Sequence, residues 1–307
     1  MGGVLTDPPA TRNALGAAIL AFSWVFFTIE MVLARILSKD LPIAEIAVFR
    51  LLTQILVLLP MLIFVGSSLL KTARIRHHVL RAALSSGGMI LFYLTFSLLP
   101  VAVATTLTFT QALFVSIMAA LILREFVGPR RIIAIIVGFA GVLIVMRPGF
   151  GDFDAAMFIA LAGAFVASAL MIMTRSLGQT EHRLTIMAYS AGFGLCFVLP
   201  YALLDWKPIE AALWPMLAVL SLCGTFGQFL MVGAYQMAEA SALAPIDYVR
   251  LVFAVIAGYA VFSEIPDIWT FTGSAVIVLS AFYTSHREQV QARTRAIGGR
   301  DHERTQA

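Results

Sequence analysis

The stretch of sequence that decides the fold is PIAEIAVFRLLTQILVLLPMLIFVG, residues 42–66. It is apolar almost throughout, and a helix needs about 20 such residues to cross the hydrocarbon core of a bilayer. Arg50 nevertheless lies inside it. A charge at the bilayer centre costs about 2.5–3.5 kcal/mol on insertion scales, so such residues usually face a polar cavity and mark function. The stretch therefore predicts a membrane-spanning helix that carries a functional cation.

The composition of the whole chain agrees with a membrane protein. Of its 307 residues, 60% are hydrophobic and 12% are charged, whereas soluble domains are roughly 45–50% apolar and about 25% charged. Cys196 and Cys223 lie in apolar segments and fit neither a disulfide framework nor a zinc site. We expect no metal and no cofactor. The net charge of +4 does not indicate nucleic-acid binding, because most basic residues lie between apolar stretches.

The same length rule predicts an all-α protein with ten membrane-spanning helices. From the amino terminus onward, the candidate spans are approximately Ala14–Leu37, Pro42–Gly66, Val79–Leu99, Val101–Leu123, Ile132–Met146, Ala155–Thr174, Leu184–Leu204, Ala212–Met237, Leu243–Phe262 and Trp269–Tyr283. The third and fourth are separated only at Leu99-Pro100-Val101, which predicts a very tight turn. The expected partners are the lipid bilayer and a small-molecule substrate; a homodimer is left open.

The two halves of the chain repeat each other at a nearly constant shift. Pro60 recurs as Pro200 at a shift of 140, and Glu125 recurs as Glu264 at a shift of 139. Each half carries five helices, and because five is odd, the second half enters the membrane inverted. Inverted repeats are a hallmark of secondary transporters, whose substrate sites lie at the repeat interface near the midplane. The sequence thus predicts two inverted five-helix repeats, at 14–147 and 155–284.

The basic residues orient these helices. Most of the 21 Lys and Arg residues fall on the side of the membrane that holds both termini, and an excess of basic residues marks the cytoplasmic side. We therefore expect a cytoplasmic tail at 1–13 and a basic cytoplasmic tail at 285–307. The expected location is a bacterial inner (plasma) membrane.

Several short motifs carry a family resemblance. They are Ala47-Val-Phe-Arg50, Leu121-Ile-Leu-Arg-Glu125, Gly141-Val142, Val261-Phe-Ser-Glu264 and Gly273. With these motifs the sequence resembles the drug/metabolite transporter superfamily, specifically its ten-helix EamA branch. The resemblance implies a central cavity, with the fifth and tenth helices bracing the outside. It also implies alternating access without ATP, and a transporter, not an enzyme.

A narrower likeness concerns the first two spans. The stretches Glu30–Arg35 and Pro42–Arg50 are similar to those of the vitamin and cofactor importers, a subgroup that includes riboflavin and S-adenosylmethionine transporters. This likeness implies uptake of a vitamin or cofactor such as riboflavin. Export of amino acids or related metabolites is the main alternative, and a membrane-embedded enzyme is the alternative of another class. No Gly-x4-Gly-Lys-Ser/Thr loop is present in the sequence, so ATP-driven pumping by this chain is not expected.

The candidate substrate-binding residues are polar or aromatic side chains inside the predicted spans. They are Arg50, Gln111, Arg250, Tyr93, Gln228 and Trp24. The planar guanidinium of an arginine can hold a carboxylate, a phosphate or a polarised carbonyl, and Trp24 could stack on a flat ring. The alternatives are that Arg50 extends to the lipid headgroups and that Trp24 packs against lipid.

Glu30 and Asp247 are the candidate proton-coupling or gating residues, because a carboxyl group removed from water can take up a proton. Glu30 is alternatively a structural partner of Arg50 or Arg35. Asp247 lies three residues before Arg250 and shares a helix face with it, so the two can instead pair with each other.

Two further pairs of residues are not expected to contact substrate. Glu125 and Glu264 recur at the ends of corresponding helices, which indicates a structural role as a cap or an ion-pair partner. His77 and His78 lie in a basic loop and are expected to be solvated surface residues.

Overall fold

A computed structural model describes residues 9–66, 70–122, 129–147, 154–178, 180–238, 243 and 246–283. Regular structure in these ranges is helical. The α-helices are α1 (Pro9–Leu37), α2 (Ile43–Val65), α3 (Ile75–Leu98), α4 (Val101–Thr108), α5 (Thr110–Ile122), α6 (Pro129–Met146), α7 (Ala156–Gly178), α8 (Arg183–Ala202), α9 (Trp214–Met237), α10 (Val249–Phe262) and α11 (Ile268–Tyr283). Two 3-10 helices, Leu203–Asp205 and Ala211–Leu213, lie between α8 and α9. The tail from residue 285 and Glu125 lie outside the described residues.

The helices confirm the prediction of an all-α, ten-span protein. Seven helical segments are long and apolar enough to cross a membrane, and three shorter apolar helices accompany them. One of the seven, Val101–Met118, includes both α4 and α5. The ten segments follow the ten predicted apolar stretches along the chain, because each stretch is bounded by loop residues that cannot enter lipid.

A proline makes the turn between α3 and α4. The residue before a proline is pushed away from helical angles, and Leu99 is extended, with φ −107° and ψ 152°. Pro100, at φ −53°, then begins the next helix, where its missing N–H would have no intrahelical partner. The predicted tight turn is thus confirmed.

The fourth predicted span is not one continuous helix, which corrects the prediction of Val101–Leu123. It is interrupted at Phe109, whose N–H bonds Thr106 O at 3.1 Å in a tighter turn. Threonine hydroxyls on both sides of the break donate to backbone carbonyls three residues back, Thr108 to Thr105 O and Thr110 to Leu107 O, each at 2.7 Å. Such bonds compete with the helical pattern and bend helices.

The ninth predicted span, Leu243–Phe262, is also interrupted. Leu243, Ile246 and Asp247 are helical, Tyr248 forms a turn, and the regular helix α10 then begins at Val249, with Tyr248 as its N-cap residue. It ends at Ser263, which has left-handed angles of φ 56° and ψ 29°, a common way to terminate a helix. Asp247 therefore belongs to the helical stretch before Tyr248, and its charge acts on Arg250 across the turn.

The helices of the first half pack mainly against those of the second. α1 packs along α9, α2 along α8, and α3 along α7, while α1 and α4 both contact α10. The repeat interface is therefore an interleaved helical core, which is where the sequence placed the site.

Glycines bring α6 and α11 close together. A Cβ atom at Gly141 would lie 3.1 Å from Gly273 O, and one at Gly273 would lie 2.8 Å from Gly141 O. Small residues allow this kind of close backbone approach between membrane helices. The pair joins the fifth and tenth spans, the two that the resemblance assigns to outer bracing.

Candidate functional site

Arg50 lies on α2 and is buried in a network of protein acceptors, with only 6% of its surface exposed. Its Nε donates to Glu30 Oε1 of α1 at 3.0 Å, and its Nη1 donates to Gln54 Oε1 at 2.6 Å. Its Nη2 donates to Gly224 O at 2.8 Å and to Gln228 Oε1 at 3.0 Å, both on α9. The guanidinium therefore contacts four acceptors and joins the two halves of the chain. Arg50 does not extend to the headgroups.

Glu30 is equally well enclosed. It is 3% exposed, and its Oε1 accepts the hydroxyl of Tyr93 on α3 at 2.7 Å in addition to the Arg50 bond. Gln54 in turn donates its Nε2 to Met187 O of α8 at 3.1 Å. A buried ion pair is tolerated when such additional hydrogen bonds satisfy it, and five helices supply them here.

Gly224 allows the Glu30–Arg50 ion pair to pack directly against α9. A Cβ atom at this position would overlap Glu30 Oε1 and would lie 2.6 Å from Glu30 Cδ and 2.7 Å from Arg50 Nε. We call the whole set the Arg50 network; its members are Glu30, Arg50, Gln54, Tyr93, Gly224 and Gln228. The sequence predicted four of these but missed Gln54 and Gly224. The position of Gln54, one helical turn after Arg50, was an available signal.

Arg250 lies in a different environment, among aromatic rings. Its Cζ is 4.4 Å from the ring centroid of Phe109, at the α4–α5 break, and 5.2 Å from that of Trp24 on α1. The ring of Tyr248 lies 5.4 Å from that of Phe109. A guanidinium over aromatic rings gains a cation–π attraction. We call these four residues, Trp24, Phe109, Tyr248 and Arg250, the Arg250 cluster.

Two donors of the Arg250 cluster have no hydrogen-bond partner among the described residues. They are Nε1 of Trp24 and Nε of Arg250, and both atoms are buried. Nearly all buried polar groups in proteins are hydrogen-bonded. The Arg250 cluster thus keeps hydrogen-bonding capacity at Nε, whereas all three guanidinium nitrogens of Arg50 donate to protein acceptors.

Of the remaining predicted residues, Asp247 adjoins the Arg250 cluster, where its charge acts on Arg250 and Tyr248, and Gln111 lies apart from both groups. Asp247 accepts the hydroxyl of Tyr235 on α9, at 3.2 Å to Oδ1 and 3.1 Å to Oδ2. Gln111, on α5, contacts α7, where its Nε2 lies 3.4 Å from Ala167 O and 3.9 Å from Met171 Sδ. No hydrogen bond joins Gln111 to Arg50 or Arg250 in the described part of the chain.

Polar contacts between the halves occur at one end of the bundle, which we call the Arg35 end. Arg35 Nη1 of α1 lies 2.6 Å from Glu264 Oε1, just after α10, and its Cζ lies 4.3 Å from the ring centroid of Phe262. Glu264 Oε2 accepts the N–H of Val101 at 2.7 Å. Glu264 therefore forms an ion pair and accepts a backbone N–H at a helix start, as expected for a structural residue.

A second ion pair lies at this end. Arg147 Nη2, after α6, is 2.7 Å from Asp267 Oδ2, before α11. Partial burial opposes ionisation of Asp267, but hydrogen bonds from Thr270 and the charge of Arg147 outweigh it and lower the pKa of this carboxyl group. This pair also joins the two halves.

The opposite end, which we call the Arg74 end, is joined by another set of contacts. Arg74, before α3, donates to Ser176 O at 3.0 Å and to Thr180 Oγ1 at 3.1 Å, after α7. Thr72 Oγ1 donates to Glu181 Oε1 at 2.6 Å. The first half is therefore attached to the second half at both ends of the bundle.

His78, at the Arg74 end, is not a solvated residue as the sequence suggested. It is 1% exposed, its ring lies 4.6 Å from that of Tyr189, and its Nε2 lies 3.9 Å from Glu181 Oε1. Its position near the start of α3 turns it toward α8, while His77 beside it is exposed. Helix packing decides which of the two adjacent histidines is buried. The basic residues around them in the sequence therefore gave a wrong prediction of exposure for His78.

Fold and site together define a class of protein. A multi-pass helical bundle, with two halves joined at both ends and polar clusters between them, is the architecture of a secondary transporter. In agreement with this, the profile of the EamA-like transporter family matches residues 13–147 and 154–286. The chain belongs to the EamA-like transporter family. The predicted likeness to the drug/metabolite transporters, and to their riboflavin and S-adenosylmethionine subgroup, is confirmed.

Named relatives span most of the chain. It is 31% identical over 274 residues to an S-adenosylmethionine uptake transporter of Rickettsia prowazekii, covering 89% of this chain and 93% of the relative. It is 31% identical over 261 residues to a riboflavin transporter of Vibrio cholerae, covering 84% and 88%. It is also 26% identical over 309 residues to human solute carrier family 35 member G1, covering 94% and 84%.

A crystal structure supports the fold. It superposes with a TM-score of 0.60 at 14% identity, covering 89% of this chain and 96% of that one. Across the described ranges, no group of three or more His, Cys, Asp or Glu side chains is placed to hold a metal ion.

Proposed function

We propose that this protein is a secondary transporter that imports a vitamin or cofactor, such as riboflavin or S-adenosylmethionine, across a bacterial inner membrane by alternating access. The observation that carries the proposal is the closure of both bundle ends by contacts between the halves. Arg35 and Glu264 close one end, and Arg74 and Thr72 close the other through α7 and the residues after it. Two inverted halves that rock about a central site must break the contacts at one end of the bundle while the contacts at the other end hold.

The distribution of basic residues supports an orientation of the bundle in the membrane. With both termini in the cytoplasm, the Arg74 end faces the cytoplasm and the Arg35 end faces the outside. Import then begins with separation of Arg35 from Glu264 while the Arg74 contacts hold. Release into the cytoplasm follows when the Arg74 contacts break and the Arg35 pair forms again.

The proposal divides the predicted site residues by their contacts. Arg250 and Trp24, which keep unpartnered donors, face the substrate. Arg50, Tyr93 and Gln228 hold the helices of the two halves together, since the four bonds of the guanidinium are taken by protein. Gln111, near α7, lies away from both groups and has a packing role in this proposal.

Two carboxylates remain for coupling or gating. Glu30 accepts a hydroxyl from Tyr93, and Asp247 accepts one from Tyr235. A tyrosine hydroxyl can stabilise a carboxylate and can also accept a bond from its protonated form. We propose that one of these two acids takes up a proton during the cycle. Asp247 is the better placed, because Glu30 is also bonded to Arg50.

Counterflow in proteoliposomes tests the proposed transport. Vesicles loaded with unlabelled substrate should transiently accumulate the labelled compound, which an enzyme cannot produce. The compounds are riboflavin, S-adenosylmethionine and a set of amino acids. Counterflow with the first two supports vitamin or cofactor transport, and counterflow with amino acids alone supports the alternative substrate class. Absence of counterflow with every compound contradicts the proposal.

The end contacts are tested in the same vesicles. Glu264→Gln weakens the Arg35 pair and should change the rate of counterflow by about 3-fold or more, since ion pairs in such partly buried positions are worth about 1 kcal/mol. Glu210→Gln is the matched control, because Glu210 is exposed before a 3-10 helix and its side chain caps nothing there. Equal rates for both variants would contradict a gating role for the Arg35 pair.

A further inference from the structure

The Arg250 cluster points to the chemical class of the substrate, and this inference rests on the transport function proposed above. Nε1 of Trp24 and Nε of Arg250 are both donors, both buried, and both without a partner in the described part of the chain. An unsatisfied buried donor is destabilising. Since the cluster carries two of them side by side on facing helices, a partner that enters from outside the chain accounts for both.

The surroundings of the two donors are flat and aromatic. The guanidinium of Arg250 lies over the rings of Phe109 and Trp24, and Tyr248 extends the same aromatic surface. The N–H groups of a guanidinium lie in its own plane, so they can still donate hydrogen bonds when a ring face covers that plane. A flat ligand can therefore stack on the aromatic surface while its edge meets the donors.

Thr105 adds a third polar atom to this region. Its Oγ1 is buried and has no partner among the residues described. Val101 and Thr105 are four residues apart and so share one face of α4, and Phe109 follows directly after the helix. Val101 contacts Gly258 of α10, and Phe109 contacts Tyr248 before it, so Thr105 faces α10 between them. The hydroxyl can donate to a ligand or accept from it.

We propose that the Arg250 cluster binds a planar heteroaromatic ring whose edge carries hydrogen-bond acceptors, either carbonyl oxygens or ring nitrogens. Trp24 Nε1–H and Arg250 Nε–H donate to that edge, and the rings of Phe109 and Tyr248 stack on its face. The permanent charge of Arg250 favours a polarised or anionic acceptor. A substrate without such a ring, such as an aliphatic amino acid, leaves both donors unpaired and binds weakly.

The position of the cluster fits an alternating-access cycle. Both donor atoms are shielded in this structure, and they lie where α1 approaches α4 and α10. The Arg35–Glu264 pair lies further along, in the last turn of α1 and just after the end of α10. Separation of α1 from α10 at that pair exposes the aromatic surface, and its return encloses the ring.

The decisive variant is Trp24→Phe, which removes the N–H but keeps an aromatic ring. We expect riboflavin binding to purified protein, measured by calorimetry, to weaken about 3- to 10-fold, the effect of one hydrogen bond. Arg250→Lys keeps the charge but removes Nε and the planar fork, and should weaken binding by at least as much. Trp214→Phe is the matched control, because Trp214 is about half exposed at the start of α9 and should bind as wild type.

The thermal midpoint distinguishes a binding role from a folding role. Without ligand, Trp24→Phe should unfold near the wild-type temperature, because the donor that it removes has no partner to lose. With riboflavin or adenosine, the stabilising shift should be smaller than in wild type. Wild-type affinity in both Trp24→Phe and Arg250→Lys would overturn the proposal. Counterflow of leucine with no binding of riboflavin or adenosine would also overturn it, while leaving the transport function standing. Failure of all counterflow would instead remove the transport function itself.

Discussion

The two arginines of the apolar stretches, Arg50 and Arg250, look alike in the sequence and differ in the structure, where Arg50 is buried and Arg250 is partly exposed. Each interrupts an apolar stretch, and each has an acidic residue nearby. Arg50 bonds four protein acceptors across three helices, whereas Arg250 rests on aromatic rings with Nε unpartnered in the described part of the chain. A membrane-buried charge alone therefore does not mark a substrate site. In our proposal, the substrate site is marked instead by donors that have no partner among the described residues.

The strongest test of this difference is Arg50→Met. Loss of one partner from a buried ion pair costs about 3–5 kcal/mol, and here Gln54, Gln228 and Gly224 O also lose a donor. We expect a large fall in the thermal midpoint, measured by size-exclusion chromatography of heated samples.

The control for this prediction is the double variant Glu30→Met with Arg50→Met. A buried pair replaced by apolar residues is often nearly neutral, so the double variant should be more stable than Arg50→Met alone. If Arg50→Met unfolded at the wild-type temperature, the network would not be structural.

The second test concerns the space around the Arg50 network. Gly224→Ala places a methyl group against Glu30 and Arg50, and overpacking typically costs about 1–3 kcal/mol. Gly192→Ala on α8 is the matched control, since a Cβ there meets no atom within 4 Å. The control should gain about 0.5–1 kcal/mol, because alanine is favoured over glycine inside a helix. Equal midpoints for the two variants would show that the pair can shift away from α9.

The smallest expected effect on stability is that of Arg250→Met. The variant loses cation–π contacts worth about 0.5–1 kcal/mol, and it removes a buried donor, Nε, that has no partner among the described residues. Its thermal midpoint should therefore stay close to that of wild type, while counterflow of riboflavin or S-adenosylmethionine falls at least tenfold. A fall in stability as large as that of Arg50→Met would make the two arginines equivalent and would remove the contrast between them.

Much of the fold could be predicted from the apolar pattern. The thickness of the hydrocarbon core sets the length of every membrane-spanning helix. The ten spans and the turn at Pro100 could therefore be predicted from the sequence. The helix break at Phe109 could not, because it depends on which carbonyls the threonine hydroxyls select. The turn at Tyr248 before α10 was missed for a similar reason, since a continuous apolar run does not show where the backbone leaves the helix.

The site was predicted in part. Glu30, Arg50, Tyr93 and Gln228 were chosen one by one as polar residues in lipid, and the structure brings them together. Gln111 was chosen on the same ground, yet it faces α7. The burial of His78 was missed, because the residues around it in the sequence are basic while its neighbours in space, Tyr189 and Glu181, are remote in the chain.

The sequence by itself determined the class of environment, the number of spans and the repeat, because these depend on hydrophobicity and periodicity along the chain. Tertiary structure alone decided which charges are satisfied. Arg50 meets Gly224, and Trp24 lies beside Arg250, across more than 170 residues of sequence. Hydrogen bonds and ring contacts act over a few ångströms, so only the packing of α1, α2, α9 and α10 could separate a structural arginine from one that still has a donor to offer.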